Sequence, residues 1–437
     1  MTEDMKFEVE ALSQDLVKPS FPTTQHRRYH QLSCIDQMMI TMYMPWLFYY
    51  PASDNSTNKE ETCERVKRSL SEALTVFYPL AGRFRENKYV DCNDEGVHFV
   101  EAKAKCNIQD ILQNPNSYDI NKLLPFDMDH VSDEVACVQV THFDCGGMTI
   151  GFAMCHKMGD ALSSIMFLQA WSAISRGEGI ATIVPLFDSA KHFAPVNLPE
   201  FDRGFVYKRE NFVTKRFVFD LSSLSAIRDR YAYRDNMNEE TIRPTRVEAL
   251  TAYMWSKINS ITEVKASKDK VITACHSVNL RPRMNLPFSE QQFGNLVLDP
   301  EVMKVEDNNT KSSCDDLMVR KMRETLGNLN AEYVKNLQAG NTYFDMIKKR
   351  SEKMLKGEMV VIDFTSCCRF PIYEIDFGWG KPEWVSSTRC SFGNFVGFFD
   401  TKVGGGIEAW ITLTKEEMTK FEADGELIAF SSPEHKH

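Results

Sequence analysis

The stretch VACVQVTHFDCGGMTIGFAMCHKMGD, residues 135 to 160, decides how this chain is read. Its first part, Val135 to Cys155, reads as two strands rich in apolar and β-branched residues. Then the character changes. His156 and Asp160 place an imidazole and a carboxylate four residues apart. Groups at the end of a strand are held by the sheet yet stay open, a common location for catalytic side chains. Of the ten histidines, only His156 has an aspartate at the fourth position beyond it.

Downstream of this motif, Leu162, Ile165, Leu168, Trp171 and Ile174 predict an amphipathic helix closed near Gly177. Upstream, Cys63, Val66, Leu70, Ala73, Leu74 and Phe77 form another helical stripe. Pro79 to Arg83 ends it, and Lys88–Val90 with Val97–Glu101 predict a hairpin around the turn at 93–96. Residues 177–212 carry Pro185, Pro195 and Pro199 and no sustained period, the mark of a long crossover. The second half restarts with strand-like Thr214–Phe219. Thr245 and Glu248 form a capping box for a helix through Ile261. A strand pattern over Val271–Leu280 runs into a Pro-punctuated loop, Arg281–Pro287. Two long charged helices (315–338 and 341–356) follow, then strands at Met359–Phe364, Asn394–Phe399 and Gly406–Thr412, and a helix from Lys415. Strands and helices mix throughout both halves, so α/β or α+β fits better than a bundle or a sandwich, and α/β is the fold class expected.

A length of 437 residues suggests two domains of roughly 200 residues. The division predicted is 1–190, a crossover loop at 191–213, and 214–437. A net charge of −10 argues against nucleic acid or an anionic membrane as partner. The most apolar run, Met38 to Tyr50, is too short to span a bilayer and is broken by Pro45. Twelve cysteines without a CxxC pair, and a Met-Thr-Glu-Asp start without signal-peptide character, indicate free thiols and a cytoplasmic location. No metal-ligand cluster, Walker A loop or dinucleotide fingerprint is present, so no bound cofactor is expected.

On the residues alone, two readings of His156 stand. It is a histidine bonded to Asp160, or it is a general base, since an imidazole with a pKa of about 6.5 can accept a proton from an alcohol. On a regular helix Asp160 would share its face and orient it. A second motif, Asp376-Phe377-Gly378-Trp379-Gly380, contains the kinase-like Asp-Phe-Gly without any other kinase element. It reads as a tight turn in which two glycines supply permissive backbone angles and the tryptophan packs. Nucleophilic alternatives are poor: no Gly-x-Ser-x-Gly elbow exists, and Cys155 is explained by burial.

His156-x-x-x-Asp160 and the turn from Asp376 to Gly380, in this order and about 220 residues apart, resemble the BAHD acyl-CoA-dependent acyltransferases of plants. Further segments agree: Tyr78 to Arg83, Val90 to Asn93, Asn279 to Arg283, and Phe293-Gly294-Asn295. The likeness covers essentially the whole chain and is nearest to the alkaloid-acylating branch, through Ser20 to Thr23, Val90 to Asp94 and Lys215 to Phe219. It implies two chloramphenicol-acetyltransferase-like domains with mixed sheets and a solvent channel at their interface. It also implies that His156 is the base, that Asp160 turns away to pair with Arg281, and that Asp376, Gly378, Trp379 and Gly380 support the fold. Thr365 and Ser366 are implied contacts for the acyl or pantetheine group.

Three departures accompany the likeness. Ala161 stands where the family usually has Gly, Cys367 where many members have Trp, and Gln292 to Leu296 departs from the anthocyanin-malonylating branch. The activity expected is transfer of a small acyl group, acetyl first, from acyl-CoA as co-substrate to the hydroxyl of an alkaloid, by a monomer. Malonyl or another acyl donor, a different alcohol or amine acceptor, and a catalytically silent metabolite-binding member are the alternatives. A malonyl donor would require a cation to meet its carboxylate.

Overall fold

The computed structural model describes residues 7–52, 59–113, 115–126, 130, 132–179, 183–197, 211–234, 240–262, 271–287, 289–305, 315–339, 342–390 and 392–432. In it, the stretch from Val135 to Cys155 becomes two adjacent antiparallel strands, Ala136–Phe143 and Met148–Cys155. Every residue of both is buried, as expected of central strands covered on both faces. They lie inside a six-stranded sheet whose order is Val9–Val17, Val97–Ala104, Ala136–Phe143, Met148–Cys155, Tyr43–Tyr50 and Trp384–Ser386. The sheet is mixed: Val97–Ala104 runs parallel to Ala136–Phe143, and the other pairs are antiparallel. Tyr43–Tyr50, taken from the most apolar run of the sequence, is therefore a sheet strand.

Two helices accompany this sheet. Lys59–Val76 buries the predicted stripe Cys63, Val66, Leu70, Ala73 and Leu74. Ala161–Ser175 differs from the amphipathic expectation: twelve of its fifteen residues are buried, including four serines. Its packing is therefore all-round, and full burial of Ile165, Phe167 and Leu168 contributes about 1.5–3 kcal/mol each.

The second sheet also has six strands, ordered Glu301–Val305, Val271–His276, Met359–Ser366, Phe395–Asp400, Ile407–Thr414 and Phe212–Phe219. Met359–Ser366 is parallel to both neighbours, and the remaining pairs are antiparallel. Its core gathers Leu250, Met254 and Ile258 of the Arg246–Ile261 helix against Ile272, Ile362, Val396 and Ile411. The Thr245–Glu248 capping box is formed as the sequence predicts.

By internal packing the chain divides into two units. Met1–Gly204, Leu286–Leu296 and Phe370–Arg389 form the first; Phe205–Asn285, Val297–Arg369 and Cys390–His437 form the second. Two later segments thus join the first unit, a division that a single crossover at 191–213 does not anticipate. The reasons are local. Trp384–Ser386 pairs with Tyr43–Tyr50, and Phe293 packs edge-on against Phe77 at 5.7 Å. Residues 198–210 of the expected crossover, and the first four residues, lie outside the described residues.

Two local expectations change. Tyr89–Asp91 and Val97–Ala104 do not pair as a hairpin: the former joins a small sheet with Tyr29–Gln31 and Arg83–Arg85, the latter enters the large one. The helix expected over 315–338 is two, Asp315–Asn328 and Ala331–Gln338. Asn330 caps the second by accepting from the Tyr333 N–H, a role that favours breaking the helix over continuing it.

Candidate active site

His156 follows immediately on the Met148–Cys155 strand. Its N–H donates to the Met42 carbonyl at 2.8 Å, and Met158 donates back to the Cys155 carbonyl at 2.9 Å, which closes a turn. Gly159 is required within it, because a Cβ there would stand 2.7 Å from the Ser163 Cβ. Asp160 then caps the Ala161–Ser175 helix. Its Oδ1 accepts from the Ser163 N–H at 3.0 Å, the usual way of satisfying a first-turn donor. Its Oδ2 accepts from the Leu296 N–H at 3.1 Å. The Ser163 hydroxyl accepts from Gly294 N–H at 3.0 Å and lies 3.0 Å from both Asp160 Oδ1 and the Gly294 oxygen.

The i, i+4 geometry in which Asp160 orients His156 is thus not what forms. The group that meets the imidazole is Asn295, whose Oδ1 lies 3.1 Å from His156 Nδ1. The Asn295 amide nitrogen uses both of its hydrogens, one on Asp36 Oδ1 at 2.8 Å and one on the His156 carbonyl at 2.7 Å. Reversing the amide would turn its oxygen toward two other acceptors. The oxygen must therefore face the ring and accept from it. This fixes the neutral tautomer: Nδ1 carries the hydrogen and Nε2 carries the lone pair. A half-buried imidazole with a free Nε2 lone pair is chemically a base.

Behind Asn295 sits Asp36, with 1% of its surface exposed. Its Oδ1 accepts from the Asn295 N–H and side-chain amide, both at 2.8 Å. Its Oδ2 accepts from the Ser33 N–H at 2.8 Å, the Ser33 hydroxyl at 2.7 Å and, at 3.4 Å, the Ser189 hydroxyl. Burial pushes this carboxyl above its usual range, and the bonds from Ser33 and Asn295 pull against that. Asp36 and Asn295 carry no role in the sequence reading. Phe293-Gly294-Asn295 stood among the matching segments, and Ser33 and Asp36 also form the capping box of the short Cys34–Met38 helix.

The Asp376 turn is built as its glycines require. Asp376 Oδ1 accepts from the N–H groups of Gly378 at 2.7 Å and Gly380 at 3.0 Å. Those glycines have φ of 105° and 108°, angles that carry no side-chain penalty only for glycine. Trp379 stacks on Phe377, 5.7 Å between centroids, and Arg65 covers it at 4.6 Å. Phe377 in turn meets Trp171 edge-on at 4.8 Å. Tyr50 donates to the Ile375 carbonyl at 2.8 Å, and it is Tyr43, at the other end of that strand, that pairs with Cys155. The two tyrosines are seven residue steps of strand apart, roughly 23 Å. The turn is thus tied to the end of the Tyr43–Tyr50 strand opposite the one that pairs beside His156.

Arg281, Thr365 and Ser366 belong to the second unit. Arg281 is 1% exposed and opens a short 3-10 turn, its N–H donating to Asn279 Oδ1 at 3.1 Å. Thr365 and Ser366 end the Met359–Ser366 strand, half-buried, with the Ser366 hydroxyl accepting from the Cys368 N–H at 3.3 Å. Cys155 is buried beside His156 and its thiol is pushed up to about 11 by desolvation, so it is a thiol rather than a thiolate at neutral pH. Among the described residues no group of three His, Cys, Asp or Glu side chains could hold a metal ion. Among them, too, no helix is long and apolar enough to cross a membrane.

A two-sheet α/β fold with a tautomer-fixed histidine at a strand end is an arrangement compatible with general-base chemistry. The model of the transferase family matches residues 7–428, and the chain belongs to that family, the BAHD acyl-CoA-dependent acyltransferases. It is 35% identical to stemmadenine O-acetyltransferase of Catharanthus roseus, over 95% of this chain and 97% of that one. Vinorine synthase of Rauvolfia serpentina is 34% identical, over 94% and 95%. The vinorine synthase crystal structure superposes with a TM-score of 0.82 at 31% identity, covering 98% of this chain and 99% of that one. A more distant structure, TRI101 of F. sporotrichioides with coenzyme A and T-2, shares the fold at a TM-score of 0.71 and 19% identity, covering 92% of this chain and 99% of that one.

Proposed function

We propose that the chain is an O-acetyltransferase that moves the acetyl group of acetyl-CoA to a hydroxyl of an alkaloid. The observation that carries this is the His156 ring, bonded at Nδ1 to Asn295 with Nε2 left as the base. The name of the 35% identical relative, stemmadenine O-acetyltransferase, supports acetyl as the acyl group and a hydroxyl as the acceptor, and the resemblance to the alkaloid-acylating branch supports an alkaloid.

In this reaction Nε2 of His156 takes the proton of the acceptor O–H as its oxygen attacks the thioester carbonyl carbon. A new C–O bond forms and the carbonyl π pair moves to oxygen, giving a tetrahedral oxyanion. Its collapse restores the C=O and breaks the C–S bond. The CoA thiolate leaves with that electron pair and takes the proton from the imidazolium. The products are the ester and CoA thiol, and His156 returns to its starting tautomer without any covalent enzyme intermediate. General-base assistance of this kind supplies about 10²–10⁴-fold.

Thr365 and Ser366 contact the acyl or pantetheine group in this reading. Asp160, Arg281, Asp376, Gly378, Trp379 and Gly380 are structural supports. The protein works as a cytoplasmic monomer, and twelve cysteines with no paired spacing suit a reducing compartment.

The test is to incubate the purified protein with acetyl-CoA or malonyl-CoA and a panel of alkaloid and non-basic terpenoid alcohols, following free thiol and ester. Ester formation with acetyl-CoA and an alkaloid alcohol is expected, with His156→Ala inactive. Turnover with malonyl-CoA alone would overturn the donor, and turnover only with a terpenoid would overturn the acceptor. No turnover above His156→Ala with any pair would make this a silent, metabolite-binding member.

A further inference from the structure

The hydrogen bonds running back from His156 end on a buried carboxyl group. Asp36 sits one residue behind Asn295 in that chain, and the five donors that reach it among the described residues are neutral: two from Ser33, two from Asn295 and one from Ser189. A carboxylate held this way, in a buried site, is stabilised by dipoles, with no positive charge bonded to it among the described residues. Its oxygens are surrounded by donors, which suits the anionic form. The Asn295 amide joins it to the one ring in the site that gains a positive charge when it accepts a proton.

We infer that Asp36 is a positioning residue for acyl transfer, acting through Asn295 to hold His156 in its Nδ1–H tautomer and to stabilise the imidazolium that forms during attack. The inference rests on the acyltransferase reading and adds a residue to it. Asn295 alone, a neutral amide, would set the tautomer. The carboxylate behind it polarises that amide, so the amide oxygen becomes a better acceptor as the ring charges. Charge separated from the ring by one side chain still acts across it, because Asp36 and Asn295 are both buried and the effective dielectric there is below that of water.

The other charged and titratable groups on the elements packed here are engaged elsewhere. Asp160, from the same turn, receives the Ser163 and Leu296 N–H groups. Lys157, next to the base, donates its ammonium to Asn87 Oδ1 at 2.6 Å. Cys34, on the short helix with Asp36, has its thiol pushed up to about 11 by burial and by the Asp36 charge, so it stays neutral. Cys155 is neutral for the same reason of burial.

The test is the pH dependence of kcat/KM for the wild type, Asp36→Asn, Asn295→Ala and the double variant, each checked for folding by thermal melting. Loss of the carboxylate should lower kcat about 10- to 100-fold, by the scale of a charge-assisted hydrogen bond, with KM within threefold. It should also move the acidic limb of the profile about one pH unit to lower pH, since the ring is less easily protonated without the nearby charge. Asn295→Ala should move the limb the same way. The double variant should be no worse than the worse single, because both break one relay. A folded Asp36→Asn with wild-type kcat and an unmoved limb would overturn the inference. So would a double variant that multiplies the two losses. If Asp36→Asn does not fold, Asn295→Ala decides alone, and an unmoved limb there overturns it. Undiminished turnover in His156→Ala would instead strike the acyltransferase reading itself.

Discussion

Asn295 grips His156 at two points: its Oδ1 lies 3.1 Å from the ring Nδ1, and its Nδ2 donates to the His156 carbonyl at 2.7 Å. One fully buried side chain therefore fixes both the backbone and the ring plane of His156. With the His156 N–H on Met42, the residue is locked from three directions while Nε2 stays available. Preorganisation of this sort removes the need to order the base at the moment of attack.

Removing the ring should consequently separate chemistry from folding. The bonds made by the His156 backbone survive truncation at Cβ. His156→Ala is expected to lower the rate of CoA-thiol release by about 10²–10⁴-fold. Its melting temperature should stay within a few degrees of wild type. A thiol-release assay and a thermal melt on the same sample check both halves; a large fall in melting temperature would show that the ring is structural.

Asp160 should behave in the opposite way. It caps the Ala161–Ser175 helix and also satisfies the Leu296 N–H, so Asp160→Ala leaves one first-turn N–H and one buried loop N–H without acceptors. Loss of a cap costs about 1 kcal/mol, and an unsatisfied buried donor about 1–3 more. Urea titration should show the midpoint falling accordingly. Asp160→Asn, which keeps an oxygen for Ser163, should recover part of the loss. Equal stability of Asp160→Ala and wild type would contradict the capping role.

The turn at Asp376 offers a cleaner separation of strain from contact. An added Cβ at Gly380 would meet nothing within 4 Å, whereas at Gly378 it would approach Arg65 at 3.4 Å. Both residues hold φ above 100°. Gly378→Ala and Gly380→Ala should therefore each lose about 1–3 kcal/mol, the cost of strained backbone, and by similar amounts. With the turn tied to the far end of the Tyr43–Tyr50 strand, itself roughly 23 Å long, kcat of the folded variants should remain within twofold. A kcat loss at Gly380 would mean that the turn communicates with the base.

Much of this arrangement is legible in the sequence, and the illegible part has a physical pattern. Local periodicity shows the Ala136–Phe143 and Met148–Cys155 strands and the helix that Asp160 caps, because burial there follows neighbouring residues. The Thr245–Glu248 box is equally local. What stays hidden are pairings across long stretches of chain. Tyr89–Asp91 and Val97–Ala104 look like partners because only a turn separates them, yet they join different sheets. Asp36 and Asn295 meet across 259 residues. Asp36 also satisfies a local rule, the capping box with Ser33, which gives a complete explanation of the residue without its distant one. Family likeness singled out Phe293-Gly294-Asn295 but gave no reason for it. The reason is that Asn295 completes a site begun by His156.

Acid should destabilise the fold through buried histidines, and His30 is the sharpest case. It is 4% exposed in the Tyr29–Gln31 strand, edge-on to Phe187 at 5.6 Å, and desolvation pushes its pKa down to about 4. In the unfolded chain it titrates near its ordinary value, about 6.5. Between these two values the unfolded state binds the proton and the folded state does not, so stability rises with pH across that window. As pH falls from about 6.5 to about 4, this group alone withdraws up to roughly 3 kcal/mol. His142 and His276 shift downward for the same reason, burial, and add to the slope. Urea midpoints measured at successive pH values should fall steadily below pH ~6.5. His30→Leu removes one of the titrating groups, so its midpoint should depend less steeply on pH while the other two histidines keep some slope. An identical slope in wild type and His30→Leu would show that His30 is hydrated or already charged in the folded protein.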